Sequence, residues 1–140
     1  MLSKIQNTIQ FIESQIGYYQ AEWGIILGTG LGKLVNEIEI EHTLEYRDIP
    51  DFPISTVEGH KGRFIFGRLS GRKVVAMQGR FHYYEGYTMQ QITLPVRVMK
   101  VLGIGRLVVS NASGGVNPDY EVGDLMILNE IGRASCRERV

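Results

Sequence analysis

"KVVAMQGRFHYYEGYTMQQITLPVRVMKVLGIGRLVVSN" occupies residues 73–111 and carries the pattern from which the architecture follows. It opens on an apolar run, "KVVAM" (73–77), of the kind a buried strand shows. It closes on a second buried-strand pattern, "RLVVSN" (106–111). Between them Ile92, Val96, Met99 and Leu102 recur at three- and four-residue steps, which predicts a helix over 88–102. Pro95 falls inside that pattern and is expected to kink the helix or mark its first turn. Strand, helix, strand is a βαβ unit, whose strands run parallel and whose crossover is right-handed. The predicted fold class is therefore α/β.

The flanking sequence extends this pattern. "RFIFGRL" (63–69), the turn "SGR" and strand 73–77 predict a hairpin. "WGIIL" (23–27) reads as another short buried strand, and "IEIEHTLEYRDI" (38–49) alternates like an exposed one, with Pro50 and Pro53 breaking regular structure after it. Ile5, Ile9, Ile12 and Ile16 mark one face of a helix over 2–17, with Gly17 as its stop. "DLMIL" (124–128) is expected to be the last strand. With no repeat, low-complexity tract or linker, the 140 residues read as one domain.

Composition narrows the function. Hydrophobic residues make up 44% and charged residues 21%, an ordinary globular balance. A formal net charge of zero gives no electrostatic reason to expect a nucleic-acid or membrane partner. No apolar run approaches the roughly 20 residues of a membrane span, and the first residues lack the apolar core of a signal peptide. A lone cysteine, Cys136, excludes an internal disulfide and fits a reducing compartment. These features lead to an expected cytoplasmic location.

Ligands of parallel sheets bind at the carboxyl ends of the strands. Three predicted strands end there in glycine-rich or polar loops, at 28–32, 78–87 and 111–116. "GTGLG" (28–32) is not a dinucleotide fingerprint, because Lys33 stands where the third glycine is needed, and it is not a P-loop. Its backbone N–H groups and the Thr29 hydroxyl still suit an anion, although a ligand-free turn uses the same residues. Arg80 and His82 alternate by two and share a side if the strand conformation persists. Arginine offers a planar fork to phosphate oxygens, and histidine can bind the same anion or move a proton. "NASGGV" (111–116) lets a ligand lie directly on backbone. His60, in "EGHKGR", reads as a loop histidine and His42 as an exposed one; the three histidines lack the short spacing of a zinc site. Ser113 lacks the nucleophile-elbow context of a hydrolase.

"GTGLG", "GHKGRFIFG", "QGRFHYYEGY", "LPVRVMKVLGI" and "NASGGVNPDYEVGDLMIL" come in an order and spacing that resembles the trimeric-type purine nucleoside phosphorylases, from about residue 2 to Asn129. The resemblance implies a mixed, largely parallel sheet flanked by helices, and only about half of the family domain. It implies phosphorolysis of purine nucleosides, with inorganic phosphate as co-substrate, no metal or organic cofactor, and a homotrimer. It also implies a phosphate cradle of Thr29, His60, Arg80, His82 and the backbone at Ala112. Thr29 stands where many relatives carry serine. Tyr84 matches the tyrosine against the ribose, and Glu85 a glutamate that holds the phosphate loop; His82 and Glu85 are the expected catalytic pair. The base-selecting residues fall in the missing half, so the piece alone is expected to be inactive. Methylthioadenosine phosphorylases, or a non-catalytic phosphate- or nucleotide-binding α/β module, are the alternatives.

After "DLMILN" the family pattern stops. Residues 131–140, "IGRASCRERV", read like a sequencing adapter translated in frame. Residues 1–130 are thus expected to be the N-terminal part of one phosphorylase domain, and 131–140 a tail foreign to it.

Overall fold

The computed structural model describes residues 1–28, 30–53 and 62–128. The loop residues Thr29 and His60, and the tail at 131–140, lie outside the described residues. The elements are α1 (Leu2–Ile16), β1 (Trp23–Leu27), β2 (Glu39–Glu45), β3 (Arg63–Leu69), β4 (Arg72–Gln78), α2 (Met89–Val101) and β5 (Arg106–Val109). Short 3-10 turns occupy Gly32–Glu37, Tyr46–Asp48 and Tyr83–Glu85.

The strands form one mixed sheet in the order β2-β3-β4-β1-β5. β1 runs parallel to both β4 and β5, while β2–β3 and β3–β4 are antiparallel. The expected hairpin is present: Leu69 pairs with Arg72 across Ser70 and Gly71, both at positive φ, as a primed two-residue turn requires. β4, α2 and β5 follow one another as predicted, but β1 is inserted between the two strands of the unit and supplies the parallel partner to each.

Alternation along the central strands sorts the core. Ile26, Phe64, Phe66, Val75 and Met77 belong to one cluster with Ile5 and Ile12 of α1 and Leu94, Val98 and Met99 of α2. Ile25, Leu27, Ile65, Val74 and Ala76 point the other way, onto Leu34, Val35 and Ile38. The isoleucine face of α1 is buried as its periodicity predicted, with Thr8 beside it donating to the Pro50 carbonyl at 3.0 Å. Pro95 neither begins nor ends α2; it lies fully buried inside the helix, which starts six residues earlier at Met89 behind an N-cap Thr88.

Three strand expectations change. The run at 38–49 forms a strand only over Glu39–Glu45, and Tyr46–Asp48 turns as a 3-10 helix. The run at 106–111 forms a strand only over Arg106–Val109, and it is an edge rather than a buried strand: Leu107, Val108 and Val109 are 40%, 47% and 59% exposed. Residues 124–128 form no strand; Leu125 and Ile127 are more than nine-tenths exposed. A strand needs a neighbour for its N–H and C=O groups, and no described segment lies beyond β5 to pair with this one.

Candidate phosphate and sugar site

The carboxyl ends of β1, β4 and β5 meet at Ser110, the residue just past β5. Its N–H donates to the Ile26 carbonyl at 3.2 Å, and its Oγ donates to the same carbonyl at 3.3 Å. Oγ also accepts from the Gly28 N–H at 2.9 Å, and the Ser110 carbonyl accepts from Arg80 Nη1 at 2.8 Å. The three loops singled out in the sequence therefore begin side by side.

β4 ends at Gln78, and Gly79 turns the chain with φ 95°. The strand conformation does not persist through Arg80, yet Arg80 and His82 still meet. Arg80 Nε donates to His82 Nε2 at 3.3 Å. The His82 ring stacks on Tyr84 with centroids 4.8 Å apart and planes 15° off parallel. Arg80, His82 and Tyr84 thus form a continuous polar and aromatic ridge. Arg80 and His82 are half-buried, whereas Tyr84 is 81% exposed. Glu85 closes the turn through its own N–H, bonded to the His82 carbonyl at 3.1 Å; no described side chain pairs with its carboxylate. Ala112 lies in an exposed loop, two residues beyond Ser110.

Beneath the loop, Tyr46 is the support that the sequence pattern concealed. It follows an exposed strand, yet it is buried among Phe52, Phe64 and Phe81, with ring centroids 5.3–5.5 Å away. Its hydroxyl donates to the Gly79 carbonyl at 3.0 Å, fixing the turn that launches Arg80. Burial pushes the Tyr46 hydroxyl well above the ordinary tyrosine pKa, so it stays a neutral donor. Ser110 is likewise unmarked by any motif; its signal is a hydroxyl at the end of an apolar run that leads into a glycine loop.

A shallow cleft of about 540 Å³ lies at the opposite end, lined by Glu22, Trp23, Arg72 and Lys73 among others. It faces the amino-terminal ends of β1 and β4, away from the three loops, and the chemistry of the site does not involve it.

Comparison with known proteins shows the family of this chain. The family model described as the phosphorylase superfamily matches residues 22–138. Purine nucleoside phosphorylase 1 of Bacillus subtilis (strain 168) is 52% identical over 130 residues, which is 93% of this chain and 48% of that protein. A crystal structure of a purine nucleoside phosphorylase in complex with ribose-1-phosphate superposes with TM-score 0.81 at 49% identity, covering 88% of this chain and 45% of the other. The Schistosoma mansoni purine nucleoside phosphorylase in complex with inosine gives 0.79 and 47%, covering 87% and 42%. The chain spans about half the length of the relatives it matches.

Proposed function

This chain belongs to the phosphorylase superfamily, and from that premise we propose that it forms the phosphate and ribose side of a purine nucleoside phosphorylase. The whole enzyme would cleave purine ribo- and deoxyribonucleosides with inorganic phosphate, giving the free base and the sugar 1-phosphate for purine salvage. The observation that carries the reading is the state of Arg80. Its Nε and Nη1 are anchored on His82 and on the Ser110 carbonyl, while Nη2 has no partner among the described residues. A guanidinium held in this way at three converging strand ends is a preformed receptor for a phosphate oxygen.

In the proposed reaction a phosphate oxygen attacks the anomeric carbon as the bond to the purine nitrogen breaks, and the bonding pair leaves with the base. Positive charge develops on the sugar next to the bound phosphate, whose negative charge stabilises it. Arg80, His82, the Ala112 N–H, Thr29 and His60 hold the phosphate. Tyr84 bears on the ribose, and Glu85 steadies the loop. Holding nucleophile and sugar about 3–3.5 Å apart can contribute up to ~7–11 kcal/mol when alignment is ideal. The reaction needs no cofactor beyond phosphate. The base-binding side belongs to the part of the relatives outside the matched region, and the complete enzyme works as a cytoplasmic homotrimer.

The test joins residues 1–128 to the remaining half of the Bacillus subtilis relative and follows base release from inosine. Release is expected only with phosphate, and the 140-residue chain alone is expected to give none. Arg80→Ala is expected to raise the phosphate KM by about tenfold or more, since a hydrogen bond to a charged group contributes roughly 1.5–3 kcal/mol. The nucleoside KM should change little. Base release without phosphate, or an Arg80→Ala effect confined to the nucleoside, rejects the proposal.

A further inference from the structure

We infer that Ser110 is a positioning residue of the phosphate site, holding the β1 loop and the Arg80 fork in mutual register without touching the anion; the inference rests on the functional reading above. Four hydrogen bonds converge on this residue. Its N–H and hydroxyl both donate to Ile26, its Oγ accepts from Gly28, and its carbonyl accepts from Arg80. Its neighbours in space are remote in sequence: Gly28 lies 82 residues away and Arg80 lies 30.

The two bonds of the hydroxyl matter most. It accepts at 2.9 Å and donates at 3.3 Å, a dual role that a serine or threonine hydroxyl can fill and an alanine methyl cannot. The approach is also closer than a side chain on Gly28 would permit: a Cβ there would stand 2.2 Å from the Ser110 carbonyl oxygen. Strand β1 is therefore pressed against β5 at the point where its loop departs. Without the hydroxyl, the part-buried Gly28 N–H loses its acceptor, and the loop after β1 is freed to shift relative to Arg80. The Arg80 anchor is a backbone carbonyl and survives the substitution. The sheet, whose ladders do not use the hydroxyl, survives as well.

The experiment titrates the ¹⁵N-labelled 140-residue chain with inorganic phosphate, following the Gly28 amide and the Arg80 side-chain N–H by NMR. In the unsubstituted chain both signals are expected to move along one binding curve. Ser110→Ala is expected to weaken phosphate binding about threefold to tenfold, the span of one neutral hydrogen bond. It should also speed exchange of the Gly28 amide and leave the signals of the β3–β4 hairpin in place. Ser110→Thr keeps the hydroxyl and is expected to hold the original affinity. Equal phosphate affinity in the original chain and Ser110→Ala overturns the inference and leaves the functional reading standing. Failure of Ser110→Thr to restore affinity also overturns it, because the hydroxyl would then not be the operative group. Absence of any phosphate response at Arg80 in the unsubstituted chain rejects the functional reading and the inference with it.

Discussion

Gly28 is the tightest point of the described site. The nearest atoms to a Cβ at this position belong to the Ser110 and Asn111 backbone, which cannot rotate away as a flexible side chain would. Gly28→Ala is therefore expected to cost about 1–3 kcal/mol, as overpacking does, read as a lower urea midpoint with an unchanged slope; an unaltered midpoint would contradict the geometry. Tyr19 shows the opposite situation, a buried polar group that is fully accommodated. Its hydroxyl donates to the Gly67 carbonyl at 3.0 Å, and Lys73 Nζ lies 4.6 Å from its ring centroid. Burial, and secondarily the neighbouring Glu41 carboxylate, push its pKa from 10.0 up to about 12. The unfolded chain then loses this proton at a lower pH than the folded one. The stabilisation is complete below pH ~10 and is lost as pH rises towards about 12. Urea midpoints measured across that window are expected to fall, and Tyr19→Phe is expected to make the fall shallower. An identical alkaline decline in both proteins would remove Tyr19 as its source.

Helix α2 links the site loop to the core. Thr88 Oγ1 accepts from the Gln91 N–H at 3.3 Å, and the Gln91 side chain accepts from the Thr88 N–H at 2.9 Å. This reciprocal pair satisfies two donors at the helix start. It also fixes where the chain leaves the Arg80–Tyr87 loop and enters the helix that seats Leu94, Val98 and Met99 on the sheet. Thr88→Ala is expected to cost about 1 kcal/mol by chemical denaturation, and Thr88→Ser to keep most of it. Equal midpoints for all three proteins would mean that packing alone holds the helix. The cap lies in the sequence as Thr-x-x-Gln just ahead of an apolar period, so this boundary was legible. The exposure of β5 was not legible in its own residues. "RLVV" has the composition of an interior strand, but composition records what a strand is suited to pack against, not whether that partner is present.

Much of the exposed apolar surface belongs to β5 and the described residues that follow it. β5 has β1 on one edge and no described strand on the other, and its Leu107, Val108 and Val109 are joined in exposure by Val122, Leu125 and Ile127. A free edge carrying large apolar side chains is a template for pairing. The 140-residue chain is expected to self-associate in a concentration-dependent way by sedimentation velocity, and Val108→Lys, a charge on that edge, is expected to shift it towards monomer. Unchanged association in the variant would locate the contact elsewhere. Helix faces, the β3–β4 hairpin and the loops ending β1 and β4 could all be read from residue order, because each depends on side chains within a few positions of one another. So could the meeting of Arg80 with His82, two residues apart. The insertion of β1 between β4 and β5, the burial of Tyr46 under Gly79 and the convergence on Ser110 could not. Those features arise from contacts between residues 30 to 82 positions apart, and which distant segments meet is set by the packing of the whole sheet, a property that no local window of sequence contains.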